Sequence, residues 1–292
     1  MPYEKDGIKY PRCTNIIGDC TDKSGALVQW AANCCVEWIR ENCTQPKRGF
    51  YASGYDYLVP EDELDDMRFA YKTVSDKALD VGSEVHNAIE VFLKREIARK
   101  DDGEPHWDIT DPVYAKLSKQ AMTAFNAFNA WQKEHNLKPI ELEKTVYGSR
   151  WAGTLDFYGY FNDKLYVMDW KTSKPKNKKT GKGIYPEMRY QVAAYRDAKN
   201  KEIIGSWNPH KRSNQQDQLI LNPKTQTFSS FVKDNEIKGC GVLRLDKETG
   251  MPDWNDTSKT FDSDLRVFNR MVDLYFERHP RIAKRFESIM PF

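Results

Sequence analysis

The chain has 292 residues, with 45 basic and 43 acidic side chains and a net charge of only +2. That length can bury a sizeable core in one large domain or two modest ones, and the near-neutral balance means that only the local placement of charge can point to a partner. No apolar run approaches the roughly 18 residues of a membrane span, and Met1–Tyr10 is polar and charged rather than leader-like, so the expectation is a cytoplasmic protein with no membrane partner.

In chain order, the N-terminal residues begin irregularly. In KSGALVQWAANCCVEWIREN (23–42), Leu27, Trp30, Ala31, Cys34 and Trp38 then recur at helical spacing. The acidic stretch PEDELDDMRFAYKTVSDKALDVG (60–82) reads as a short helix and a loop. VGSEVHNAIEVFLKREIARK is a second amphipathic helix, with Ser83 as N-cap and Val85, Ala88, Ile89, Phe92 and Leu93 on one apolar face. A third runs through DPVYAKLSKQAMTAFNAFNAWQKEHN, capped by Asp111, with Pro112 at its first position and Val113, Leu117, Ala121, Phe125 and Phe128 inward.

The period then changes. IELEKTVYG, WAGTLDFYGYF and KLYVMDW read as strands, the last two joined by Asn162–Asp163, a hairpin turn signal. A lysine-rich loop (171–186) leads to a helix, EMRYQVAAYRDAKN; QLILN and GVLRLD are two more strands, and DSDLRVFNRMVDLYFERH is a last amphipathic helix. The order predicts a mixed α+β (α/β) protein with a central mixed sheet flanked by helices. Residues 1–80 are expected to be a mostly helical segment packed on a core formed by residues 81–292, the two making one structural unit.

Six cysteines (Cys13, Cys20, Cys34, Cys35, Cys43, Cys240) form no C-x-x-C pair, so neither a disulfide framework nor a metal cluster is expected and ordinary buried thiols are.

The chemistry concentrates in LYVMDWKTSK (165–174). Alternate side chains of a strand share a face, so Asp169 and Lys171 point together, and Asp156 sits in the neighbouring apolar strand. Two carboxylates brought close in an apolar setting repel and are costly to bury unless a cation joins them. Hard oxygen ligands select one or two Mg²⁺ or Mn²⁺ ions, which suits phosphodiester hydrolysis. Taken alone, Asp169 and Lys171 would be a structural ion pair.

Their neighbours carry more. Asp156 followed by Asp169-Trp170-Lys171 resembles the PD-(D/E)XK nuclease superfamily. Gln191-Val192-Ala193-Ala194-Tyr195 on the next helix, His86 in Gly82-Ser83-Glu84-Val85-His86 upstream, and Glu143 ahead of Gly153-Thr154-Leu155-Asp156 are similar to its RecB-like exonuclease branch, including phage and mitochondrial-type exonucleases. The likeness spans about residues 82 to 198, with Leu155 where the name-giving motif has Pro. Thr14, Lys23, Leu27 and Trp30 fit the branch's first segment, while the C-terminal Cys cluster of its iron–sulfur members has no counterpart, so no such cluster is expected.

The resemblance implies a restriction-endonuclease-like core. It implies metal ligation by Asp156, Asp169, the Trp170 backbone carbonyl and His86, with Glu143 a candidate further ligand. Lys171 would be the catalytic lysine, with Gln191 and Tyr195 positioning it, the water or the DNA. Lys174, Lys176, Lys178, Lys179, Lys182 and Arg189 would attract phosphates, and Trp151, Tyr185 and Trp207 are candidates for stacking on bases. The expected activity is exonucleolytic hydrolysis of DNA, single-stranded or with a free end, in phage or bacterial recombination, repair or replication. A recombination or single-strand-binding protein would be the partner, and the oligomeric state stays open. An internally cutting endonuclease and a silent DNA-binding module are the alternatives.

Overall fold

A computed structural model describes residues 3–43, 59–98, 112–173, 184–205 and 235–287. The chain divides into two compact units, Met1–Cys20 with Glu84–Phe292, and Thr21–Ser83. The fold is mixed α+β. In the first unit a five-stranded sheet has the order β3 (Leu137–Tyr147), β4 (Ala152–Phe161), β5 (Lys164–Ser173), β6 (Gly239–Asp246), β7 (Pro252–Asp256). Every neighbour pair is antiparallel except β5–β6. A parallel pair needs a long crossover, and the helix Pro186–Gly205 lies within that connection. The β4–β5 hairpin turns on Asn162 and Asp163, with φ of 48° and 62°, the left-handed geometry that matches strand twist in a two-residue turn.

Alternation along β5 explains its unbroken apolar run: both faces are covered. Leu165 and Val167 join the core beneath α1 (Cys13–Cys20), α7 (Pro186–Gly205) and α8 (Phe261–Arg278), with Val192, Ala194, Phe268 and Val272. Trp170 faces the other side, where its ring meets Phe128 of α6 (Lys119–Glu134) at 5.4 Å and Phe157 of β4 at 5.8 Å. Over that layer runs α4 (Ala70–Ala98), where Val85, Ala88, Ile89, Phe92 and Leu93 are all buried, as their spacing predicts. Phe92 packs edge-on against Phe125 and Phe128.

Three expectations need correction. Ser83 caps nothing: α4 continues from Ala70 through Gly82 and Ser83, because a single glycine costs a helix only about 1 kcal/mol and the buried face beyond it outweighs that. Acidic residues 60–82 accordingly hold a 3-10 turn (Glu61–Glu63), α3 (Leu64–Arg68) and the start of α4, not a loop. The helix expected from Asp111 is broken into α5 (Pro112–Ala115) and α6, with Ser118 extended between them (φ −59°, ψ 157°). Ser118 Oγ accepts the Ala121 N–H at 3.3 Å as N-cap, and the Glu84 carboxylate accepts the Ser118 N–H at 2.8 Å. Asp111 and QLILN lie outside the described residues.

The segment 1–80 is also not one body. The hairpin of β1 (Tyr3–Lys5) and β2 (Ile8–Tyr10), together with α1, belongs with the sheet. Tyr3 Oη and Thr154 Oγ1 are 2.9 Å apart, and Ala152 N–H donates to the Pro11 carbonyl at 3.0 Å. The second unit holds α2 (Ser24–Asn42), α3 and the first turns of α4. In α2 only Cys34 is buried, while Leu27 and Trp30 are exposed. Closing α8 is the short helix α9 (Pro280–Glu287). No described helix is long and apolar enough to cross a membrane.

Candidate active site

The site forms where β4 and β5 part. Their ladder is last paired at Phe157 and Met168; one residue further on stand Asp156 and Asp169. Past that point the Trp170 N–H has lost its cross-strand carbonyl, and the Asp156 carboxylate takes it instead at 2.6 Å. β5 stays in register with β6 as far as Ser173, so the carboxylates sit on a rigid strand end.

On the other side of β4, Leu142 pairs with Phe157 and Lys144 with Leu155, which sets Glu143 opposite Asp156. Glu143 has φ +48°. Left-handed backbone in a non-glycine residue costs about 1 kcal/mol or more and clusters at functional sites.

His86 arrives from α4, one position along from the buried Val85. Its Nε2 lies 3.1 Å from the Trp170 carbonyl, and its Nδ1 lies 3.6 Å from Asp156 and 3.8 Å from Glu143. Burial alone would lower its pKa, but the charge of Asp156, the neighbouring Glu143 carboxylate and the charge of Asp169 outweigh it and raise it to about 9. Asp156 is pushed up to about 7, by burial first and by the Asp169 charge, against the pull of His86 and Lys171.

Asp169 is held differently. Lys171 Nζ rests against its Oδ2, and Gln191 Nε2 donates to its Oδ1 at 3.0 Å. The same Gln191 nitrogen is 3.1 Å from Tyr195 Oη, one helical turn on. Burial would strip the Lys171 ammonium of its proton, yet Asp169 and Asp156 more than compensate and its pKa is raised. The Tyr195 phenol is pushed well up by burial, then by Cys13 and Asp169. Cys13, fully buried on α1, is likewise raised by burial first and by Asp169 next. Nothing in the cysteine spacing placed it beside this cluster.

Two groups therefore emerge. His86, Glu143 and Asp156 each offer one donor atom, all within 4.8 Å of one another, with the Trp170 carbonyl joined to them through His86. Two carboxylate oxygens and the imidazole Nδ1 form a donor set that fits Mg²⁺ or, better, Mn²⁺, whereas the Trp170 carbonyl, expected as a ligand, faces the ring's other nitrogen. Asp169, expected as a ligand beside Asp156, has its two oxygens engaged by Lys171 and Gln191. Glu143, the least certain ligand on sequence grounds, stands in the donor group.

Several expected residues lie elsewhere. Arg189 makes a two-armed bond to Asp264 of α8, at 3.1 and 2.7 Å. Trp151 is core, edge-on to Phe268 at 5.1 Å, whereas Tyr185 is exposed. Lys174, Lys176, Lys178, Lys179, Lys182 and Trp207 lie outside the described residues. One buried ion pair had no sequence signal: Lys199 of α7 reaches Glu141 at 2.5 Å and Glu202 at 3.0 Å. No protein-family model and no curated protein matches the chain.

Proposed function

We propose that this protein is a Mg²⁺- or Mn²⁺-dependent deoxyribonuclease that hydrolyses phosphodiester bonds from DNA ends, in phage or bacterial recombination, repair or replication. The observation that carries the reading is the meeting of His86, Glu143 and Asp156 at the point where β4 and β5 separate, directly beside the Asp169–Lys171–Gln191–Tyr195 chain. His86, Glu143 and Asp156 would hold the ion. When bound, it would supply Lewis-acid polarisation of the phosphoryl group and a more acidic water.

The remaining groups act through position and charge. Asp169 keeps Lys171 an ammonium at the cluster, so its charge meets that developing on the phosphoryl oxygens rather than abstracting a proton. Gln191 locks the Asp169 carboxylate, and Tyr195 closes the chain behind it. Asp156 accepts the Trp170 N–H and His86 lies against the Trp170 carbonyl, so the two peptides that flank one α-carbon hold two of the donors in place.

The test is digestion of end-labelled single- and double-stranded oligonucleotides with Mg²⁺ or Mn²⁺, beside end-blocked oligonucleotides and covalently closed circles. Shortening from free ends that spares the circles is expected. Cleavage of the circles replaces the exonuclease with an endonuclease. Absence of cleavage of every substrate, or full activity in purified Lys171→Ala, defeats the assignment.

A further inference from the structure

A concave feature lies in the same unit, on two of the elements that build the candidate site. It is a cleft of about 470 Å³ lined by Lys5 of β1, Lys144, Thr145 and Tyr147 of β3, and Lys201 and Glu202 of α7. Lys144 and Thr145 directly follow Glu143 in β3. Lys201 follows Tyr195 by six residues in α7, about 9 Å at 1.5 Å per residue. The cleft therefore shares β3 with the donor group and α7 with the Gln191–Tyr195 pair.

Its charge is unbalanced. Three lysines line it against one glutamate. Their present counter-charges are weak or local: Lys144 lies 3.9 Å from Glu141, Lys201 reaches Asp197 one turn back on its own helix at 2.7 Å, and Lys5 sits over the Tyr147 ring at 5.1 Å. Exposed pairs of this kind contribute little, so an incoming anion exchanges them at small cost. Thr145 adds a hydroxyl and Tyr147 an aromatic edge. Glu141, which would oppose an anion, is drawn to the buried Lys199 ammonium. The volume lies within the range of small-ligand sites.

We propose that this cleft is a nucleotide-phosphate subsite, taking a phosphate of the strand that runs to the metal centre. The proposal rests on the nuclease reading and extends it by a strand-positioning site outside the reacting group. Lys144 and Lys201 are positioning residues here: they set where the strand lies and leave the metal donors untouched.

The experiment is fluorescence anisotropy of a labelled single-stranded oligonucleotide on the full chain, without divalent metal so that no cleavage occurs, over a series of salt concentrations. Wild type is compared with Lys144→Glu/Lys201→Glu and with Lys138→Glu, a control at the far end of β3 whose ammonium pairs with Asp163. Thermal melting checks that the variants fold, as both lysines are exposed. The double variant is expected to bind at least ~10-fold more weakly, with its salt slope reduced by roughly 1.4, two single-strand contacts at 0.7 each, while Lys138→Glu stays close to wild type. Competition by deoxyadenosine monophosphate but not deoxyadenosine, lost in the double variant, marks a site that also takes the free nucleotide; competition by neither, with the strand effect retained, marks a site for the chain alone. Equal affinity and slope in wild type and the double variant, or an equal loss in Lys138→Glu, overturns the subsite and leaves the nuclease reading standing. Failure of wild type to bind the oligonucleotide at all overturns the subsite, and the nuclease reading then stands or falls on the cleavage assay with Mg²⁺ or Mn²⁺.

Discussion

Asp156→Asn is expected to make the metal-free protein more stable while removing its activity. Asp156 is buried, and its folded pKa is raised from 3.8 to about 7. Because the folded chain holds this proton longer than the unfolded chain, the associated stability is present in full near pH 4 and is lost as pH rises to about 7. Three units at about 1.4 kcal/mol each place that loss at ~4 kcal/mol, a net figure that already contains the attraction of His86. Asparagine carries no such loss, and its carbonyl can still accept the Trp170 N–H, though the change from an ionic to a neutral acceptor costs about 1 kcal/mol. The substituted amide must also settle beside His86 and Glu143, so a gain of roughly 2 kcal/mol at pH 8 is expected, shrinking to near zero or a small loss at pH 4. Urea unfolding followed by tryptophan fluorescence, in metal-free buffer at both pH values, measures it. Adding Mn²⁺ should then stabilise wild type and not the variant. If Asp156→Asn is no more stable than wild type at pH 8, or differs from it equally at both pH values, the electrostatic reasoning fails.

Lys171→Met should lower cleavage by about 10²–10³-fold, the usual effect of removing one preorganised charge from a developing oxyanion, with Mn²⁺ affinity measured by calorimetry kept or tightened. Glu143→Gly should weaken Mn²⁺ binding yet leave stability within about 1 kcal/mol of wild type, because glycine relieves the φ +48° strain that offsets its flexibility; a urea midpoint far below wild type would refute this. Ser118→Ala should cost about 1 kcal/mol through loss of the cap on α6, read from the same unfolding curves with no change in metal affinity.

How legible the site was depends on the range of the interactions that make it. Asp169 and Lys171 share a face because strands alternate, and Gln191 and Tyr195 share one because helices repeat near four residues; both follow from spacing alone. The hairpin at Asn162–Asp163 and the burial of Val85, Ala88, Ile89, Phe92 and Leu93 were equally local. Ser83 misled because a cap residue followed by an apolar stripe looks the same whether the helix starts there or simply passes through. Ser118, two residues before Gln120, lacked the fuller capping-box pattern, so the break before α6 was hidden behind Asp111-Pro112.

Local period and composition therefore determined β3 to β6 and most helices, while the candidate site's groups were picked out by their resemblance to a nuclease family rather than by period. Tertiary structure alone decided how those groups combine. Glu143 joins His86 and Asp156 because of the β3–β4 register and a left-handed residue. Asp169 is given to Lys171 and Gln191 because α7 covers its side of β5, and Asp156 binds the Trp170 amide because β4 and β5 separate after Phe157–Met168. Each of these depends on contacts between residues far apart in the chain, and such contacts are set by packing and register, which no short window of sequence contains.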